Sequence, residues 1–113
     1  MSNDKPINPL EMLAYVLAMQ IKDHQIVYVG TGLPMVAAIL AKKTHAPHIT
    51  MVYESGGQNP IEGDMPWSVG DPFTWRKSPL IQEMAYSFAQ AYNGYVDIGF
   101  LGFAQVDMYG NIN

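Results

Sequence analysis

The sequence predicts an α/β fold in three layers, α/β/α, with a mainly parallel sheet. Three observations carry that reading. Short β-branched and aromatic runs alternate with Ala- and Leu-rich helical stretches along the chain. The first two strand-like runs each stop at a glycine-bearing turn, Gly30-Thr31-Gly32 and Glu54-Ser55-Gly56-Gly57. The run His48–Tyr53 is mostly apolar with poor alternation, as expected of a strand covered on both faces.

The elements follow in order. Asn8-Pro9-Leu10-Glu11 reads as a helix start: Asn8 caps, Pro9 fits the first turn, and Glu11 lies three residues after the cap. Leu10, Leu13, Leu17 and Ile21 then fall on one face, and Lys22 ends the helix where a cation suits the dipole. Gln25–Val29 is a strand stopped by Gly30, Pro34–Lys43 is a helix, and His48–Tyr53 is the next strand. Residues 55–77 hold four glycines, three prolines and both tryptophans, an irregular segment of the kind that usually carries function. Trp67, Phe73 and Trp75 in it read as interface anchors rather than a ligand wall. Ser78-Pro79 starts a further helix to about Tyr92, closed by Asn93-Gly94. Tyr95–Phe100 is a last strand, expected to continue after Gly102. Residues 1–113 are expected to form a single domain. It stops just past the turn 107–111, as if truncated at its C-terminal end or completed by another chain.

Composition narrows the partners. The chain is 49% hydrophobic and only 14% charged, against about 25% charged in ordinary domains. Covered surface and self-association into a homo-oligomer are therefore expected. Ten acids against six bases, with no basic stripe, argue against nucleic acid. The absence of cysteine rules out disulfides and thiolate chemistry. No apolar run approaches the ~20 residues of a membrane span, and residues 1–8 lack a signal-peptide core, so a cytoplasmic location is expected.

Glu54 is the residue of most chemical interest. A carboxylate at the C-terminal tip of a buried strand, before a glycine turn, sits where α/β folds place reacting groups. It reads equally as a helix-cap partner, an ion-pair member or a nucleophile. Gly30-Thr31-Gly32-Leu33-Pro34 is neither a dinucleotide fingerprint nor a Walker loop, and by itself reads as a tight strand-to-helix turn. His24, His45 and His48 lack ligand spacing, so no metal site is expected. Ser55 has no companion base, which leaves serine-hydrolase chemistry little support.

Four segments together resemble the β subunit of class I CoA-transferases, most closely the glutaconate type. Val27–Lys42 is similar to the family's Val-Gly-Thr-Gly-Leu-Pro turn and helix. Val52-Tyr53-Glu54-Ser55-Gly56 is similar to its catalytic Glu-Ser-Gly turn. Ser68-Val69-Gly70-Asp71 and Gly99–Asn113 resemble two further stretches, although Phe103 stands where the family usually has a second glycine. The resemblance implies a CoA-transferase-like fold and makes Glu54 the nucleophile that attacks an acyl-CoA thioester. It implies that Gly30, Thr31, Gly32, Gly102 and Ala104 hold the oxyanion and the coenzyme A end. Ser55, Gly56, Gly57 and Gln105 are further loop candidates. It also implies acyl-CoA and carboxylic acid substrates, no bound cofactor beyond coenzyme A as substrate, and an α-type partner subunit. Two other readings stand beside it: an acyl-CoA hydrolase or ring-opening enzyme on the same scaffold, and a non-catalytic acyl-CoA-binding or assembly domain.

Overall fold

The computed structural model describes residues 5–60, 66, 68 and 70–113. The elements are α1 (Pro9–Met19), β1 (Ile26–Val29), α2 (Leu33–Lys43), β2 (Thr50–Tyr53), β3 (Gly57–Gln58), a 3-10 turn (Pro72–Thr74), β4 (Leu80–Ile81), α3 (Met84–Tyr92) and β5 (Ile98–Phe100). The sheet order is β4-β3-β2-β1-β5. β1 lies at the centre of a parallel trio, with Val29 opposite both Tyr53 of β2 and Phe100 of β5. β3 and β4 add a short antiparallel margin, so the sheet is mixed with a parallel heart.

Side-chain alternation assigns the layers. Val27, Val29, Met51 and Tyr53 share a buried core with Met35, Ala37, Ala38 and Ala41 of α2. Tyr28 points the other way, its ring 5.9 Å from that of Phe88 on α3. Helices α1 and α2 thus cover one face and α3 the other, giving the three layers expected.

Several boundaries differ from the sequence expectation, each for a physical reason. Asn8 does cap α1, its Oδ1 accepting from the Leu10 amide at 3.0 Å. The inward face, however, is built on Ala14 and Ala18, while Leu10 and Leu13 are 63% and 46% exposed. Alanines buried on both α1 and α2 let the two backbones approach closely, which Leu10 and Leu13 would prevent. Lys22 lies beyond the helix end at Met19 and does not serve its last turn.

The helix expected from Ser78 begins only at Met84. Leu80–Ile81 instead pairs with Gly57–Gln58, and the Gln82 amide donates to the Gly56 carbonyl at 3.1 Å. The sheet partner satisfies those backbone groups outright, and Ser78-Pro79 becomes its lead-in. The segment 55–77 is correspondingly less irregular than expected, since it contributes β3 and the 3-10 turn. Phe73 is half-buried and Trp75 exposed, while Trp67 and Val69 lie outside the described residues. At its far end α3 closes as expected, Gly94 taking φ +81° after Asn93.

β5 stops at Phe100 and does not resume after Gly102. Residues 104–113 instead fold back on themselves through a Val106–Ile112 bridge. The Asp107 carboxylate organises that turn, accepting from the amides of Tyr109 and Asn111 and from Asn111 Nδ2. Those donors, the Asn111 side chain foremost, hold its pKa below the usual 3.8. A depressed carboxylate stabilises above its unfolded pKa and loses that effect as pH falls through the folded value. The amide resonances of residues 107–111 are therefore expected to collapse toward random-coil positions only below about pH 4, which an NMR titration checks.

Candidate active site

The three parallel strands deliver three loops to one edge of the sheet. Because Val29 pairs with both Tyr53 and Phe100, Gly30, Glu54 and Leu101 leave the sheet at one level, on strands about 5 Å apart.

Glu54 is the second residue of a tight turn closed by the Gly56 amide donating to the Tyr53 carbonyl at 2.9 Å. Ser87 of α3 donates to the Glu54 carbonyl at 3.1 Å and lies 2.8 Å from the Met84 carbonyl. The turn is thus held from outside the sheet. Among the described residues the Glu54 carboxylate makes no hydrogen bond or ion pair. It is half-buried.

The glycines that follow serve closure. A Cβ on Gly56 would lie 1.8 Å from the Gln82 carbonyl oxygen, and one on Gly57 would lie 2.1 Å from that of Thr74. Ser55 Oγ donates to Thr74 Oγ1 at 2.9 Å, and Thr74 in turn donates to the Asp71 carbonyl at 2.7 Å. Ser55 and Gly57 therefore hold the 70s loop, and Gly56 the Gln82 backbone, against the Glu54 turn.

At the β1 tip, the Gly30 amide is already given to the Phe100 carbonyl at 2.9 Å. A Cβ there would sit 3.0 Å from that same oxygen. Gly32 adopts φ +83° and precedes α2. Among the described residues the amides of Thr31, Gly32 and Leu33 have no protein partner. They form a small donor group at a helix start.

The sequence profile of the coenzyme A transferase family matches residues 10–113. The chain belongs to that family. It is 36% identical over 104 residues to the B subunit of 3-oxoadipate CoA-transferase from Pseudomonas knackmussii, covering 91% of this chain and 40% of that protein. It is 38% identical over 108 residues to the B subunit of glutaconate CoA-transferase from Acidaminococcus fermentans, covering 91% and 41% respectively. The chain thus spans about two fifths of the length of those curated relatives. Among solved structures, glutaconate coenzyme A-transferase from Acidaminococcus fermentans superposes with a TM-score of 0.79 at 33% identity, over 96% of this chain and 44% of that one. The decarboxylase AibA/AibB superposes with a TM-score of 0.83 at 31% identity, over 95% and 45%.

In this member of the coenzyme A transferase family, the β5 tail carries the remaining sequence candidates. Gly102 lines an apolar cavity of about 450 Å³ together with Leu13, Leu17, Pro34, Phe100 and Phe103. The Ala104 amide donates to the Asn113 carbonyl at 3.0 Å, and Gln105 exchanges backbone bonds with the same residue. Glu54 does not line this cavity.

Sequence reasoning missed Tyr28. Its hydroxyl is buried on the α3 face without a hydrogen-bond partner. Ser87 lies beside it, but its single hydroxyl hydrogen faces the Met84 and Glu54 carbonyls. Burial raises the Tyr28 pKa above 10.0, and the Glu54 charge adds to the rise. The signal was present in the strand alternation, since Tyr28 and the residue after Tyr53 fall on the same side of the sheet. A raised phenol stabilises below its unfolded pKa and loses that contribution as pH climbs through the folded one. Tyr28→Phe, which removes an orphaned hydroxyl, is expected to keep or raise stability by about 1 kcal/mol at neutral pH. The variant is also expected to lose less stability than the parent above pH 10.0. Denaturant titrations at neutral pH and above pH 10.0 read both.

Proposed function

We propose that this chain supplies the nucleophilic glutamate of a β-type CoA-transferase subunit, moving coenzyme A between carboxylic acids. The observation that carries the proposal is the position of Glu54. It sits on a clamped turn at the C-terminal tip of β2, level with the β1 tip, within a family whose curated relatives are CoA-transferase subunits.

In this reading a Glu54 carboxylate oxygen bonds to the thioester carbonyl carbon of an acyl-CoA. The tetrahedral oxyanion collapses, the C–S bond breaks, and coenzyme A leaves as thiolate. The product is a mixed anhydride of the acyl group with Glu54. The thiolate then attacks the glutamyl carbonyl, releasing the first carboxylate and leaving a glutamyl-CoA thioester. An acceptor carboxylate attacks that thioester, and the same steps run in reverse. The Thr31, Gly32 and Leu33 amides and the backbone at Gly102 are suited to receive the oxyanion or the coenzyme A end. A single such donor contributes about 3 kcal/mol. Water must be excluded, because it would hydrolyse either intermediate. An α-type partner is the proposed means of closing the site, in keeping with relatives that are named as B subunits.

The test is to incubate the chain, with and without an α-type partner, with acyl-CoA and then trap with borohydride or hydroxylamine. The peptide containing Glu54 should carry the modification. An unmodified Glu54 in an assembly that transfers coenzyme A would remove the proposal. A second reading, in which water rather than a carboxylate receives the acyl group, rests on Phe103 standing where the family usually has a second glycine. Free coenzyme A released without an acceptor ester would select that reading.

A further inference from the structure

At the opposite edge of the sheet, three side chains converge that the acyl-transfer reading does not use. Asp23 and His24 lie in the turn before β1, and His48 lies just before β2. The parallel pairing of β1 with β2, which sets Ile26 opposite Thr50, brings these two turns side by side. Asp23 joins them: Oδ1 accepts from the His48 amide at 2.7 Å, and Oδ2 lies 2.9 Å from His48 Nδ1. His24, held at φ +65°, stacks its ring on that of His48 with centroids 5.0 Å apart and planes 5° from parallel. Its Nε2 lies 3.7 Å from Asp23 Oδ2.

We propose that Asp23, His24 and His48 form a binding site for a nitrogen-preferring divalent transition metal, with zinc as the natural probe. One ligand atom from each residue lies within 4.8 Å of the other two. A tetrahedral ion with bonds near ~2.0 Å places its ligands about 3.3 Å apart. The observed separations of 2.9 Å and 3.7 Å from the Asp23 oxygen bracket that edge. Both histidine rings are exposed, and each would have to rotate out of the stack to aim its in-plane lone pair at a shared ion. Two imidazoles and one carboxylate leave a fourth position for water, and that donor set excludes magnesium and calcium as preferred ions. The site lies a strand length, about 13 Å, from the Glu54 edge. Its role is therefore to staple the two turns, not to take part in acyl chemistry.

The third histidine provides an internal control. His45 Nδ1 is engaged by Thr44 Oγ1 at 3.1 Å and its Nε2 by the Ile21 carbonyl at 3.0 Å, so both nitrogens are taken. Zinc titration of the full chain by calorimetry, with zinc-dependent thermal melts alongside, tests the site. One zinc per chain and a raised Tm are expected. His24→Ala and His48→Ala should each weaken binding by at least about tenfold, while His45→Ala should leave it unchanged. Circular dichroism of each variant without zinc establishes that it is folded. Absence of binding by the parent up to about 100 µM zinc, a free energy of only about 5.5 kcal/mol, or equal affinity in the folded His24→Ala/His48→Ala double variant, would overturn the proposal.

Discussion

Glu54→Ala is expected to abolish coenzyme A transfer by the assembled enzyme, lowering kcat by about 10⁴-fold or more. Ser55 is committed to Thr74, and the chain has no cysteine. The fold should be indifferent to the change. Among the described residues the carboxylate makes no hydrogen bond or ion pair, and the bond from Ser87 goes to the backbone carbonyl, which alanine retains. A Tm within a few degrees of the parent, together with lost transfer and no trapped intermediate, is the expected pattern. Residual activity near the parental level would assign the chemistry to another group.

Gly56→Ala and Gly57→Ala should produce the opposite pattern, with destabilisation of about 3 kcal/mol or more each. Gly56 carries two penalties: φ of +104° and a Cβ only 1.8 Å from the Gln82 carbonyl oxygen. At Gly57 the new methyl would meet the Thr74 carbonyl oxygen at 2.1 Å and Trp75 Cα at 2.9 Å. These are backbone atoms that cannot rotate aside. The strand pair β3–β4 or the 70s loop must give way. Because a domain is stable by only about 5–15 kcal/mol, poor expression or a much lower denaturation midpoint is expected. Gly102→Ala is the matched control. A Cβ there meets nothing within 4 Å, so its stability change should stay within about 0.5 kcal/mol. Any loss of transfer in that variant would report on the site.

What could be read from the sequence was local. The Asn8 cap, the strand that Gly30 terminates, the glycine after α3 and the strand-tip position of Glu54 each depend on a few consecutive residues, and each is present. What could not be read depends on partners distant in the chain. Leu80–Ile81 became a strand because Gly57–Gln58 was available beside it. Ala14 and Ala18 took the inner face of α1 because α2 offered alanines to meet them. Tyr28 entered the site through the sheet, and His24 and His48 met only because parallel pairing aligned their turns. Spacing along the chain held no trace of that meeting.

The Ser87 hydroxyl has a single hydrogen and two carbonyl oxygens within reach, Met84 at 2.8 Å and Glu54 at 3.1 Å. Both cannot be fully served at once. The peptide plane beneath the Glu54 carboxylate therefore rests on a proton shared with the first turn of a helix. A small rotation about one side-chain bond is enough to tighten or slacken it, with no displacement of the main chain.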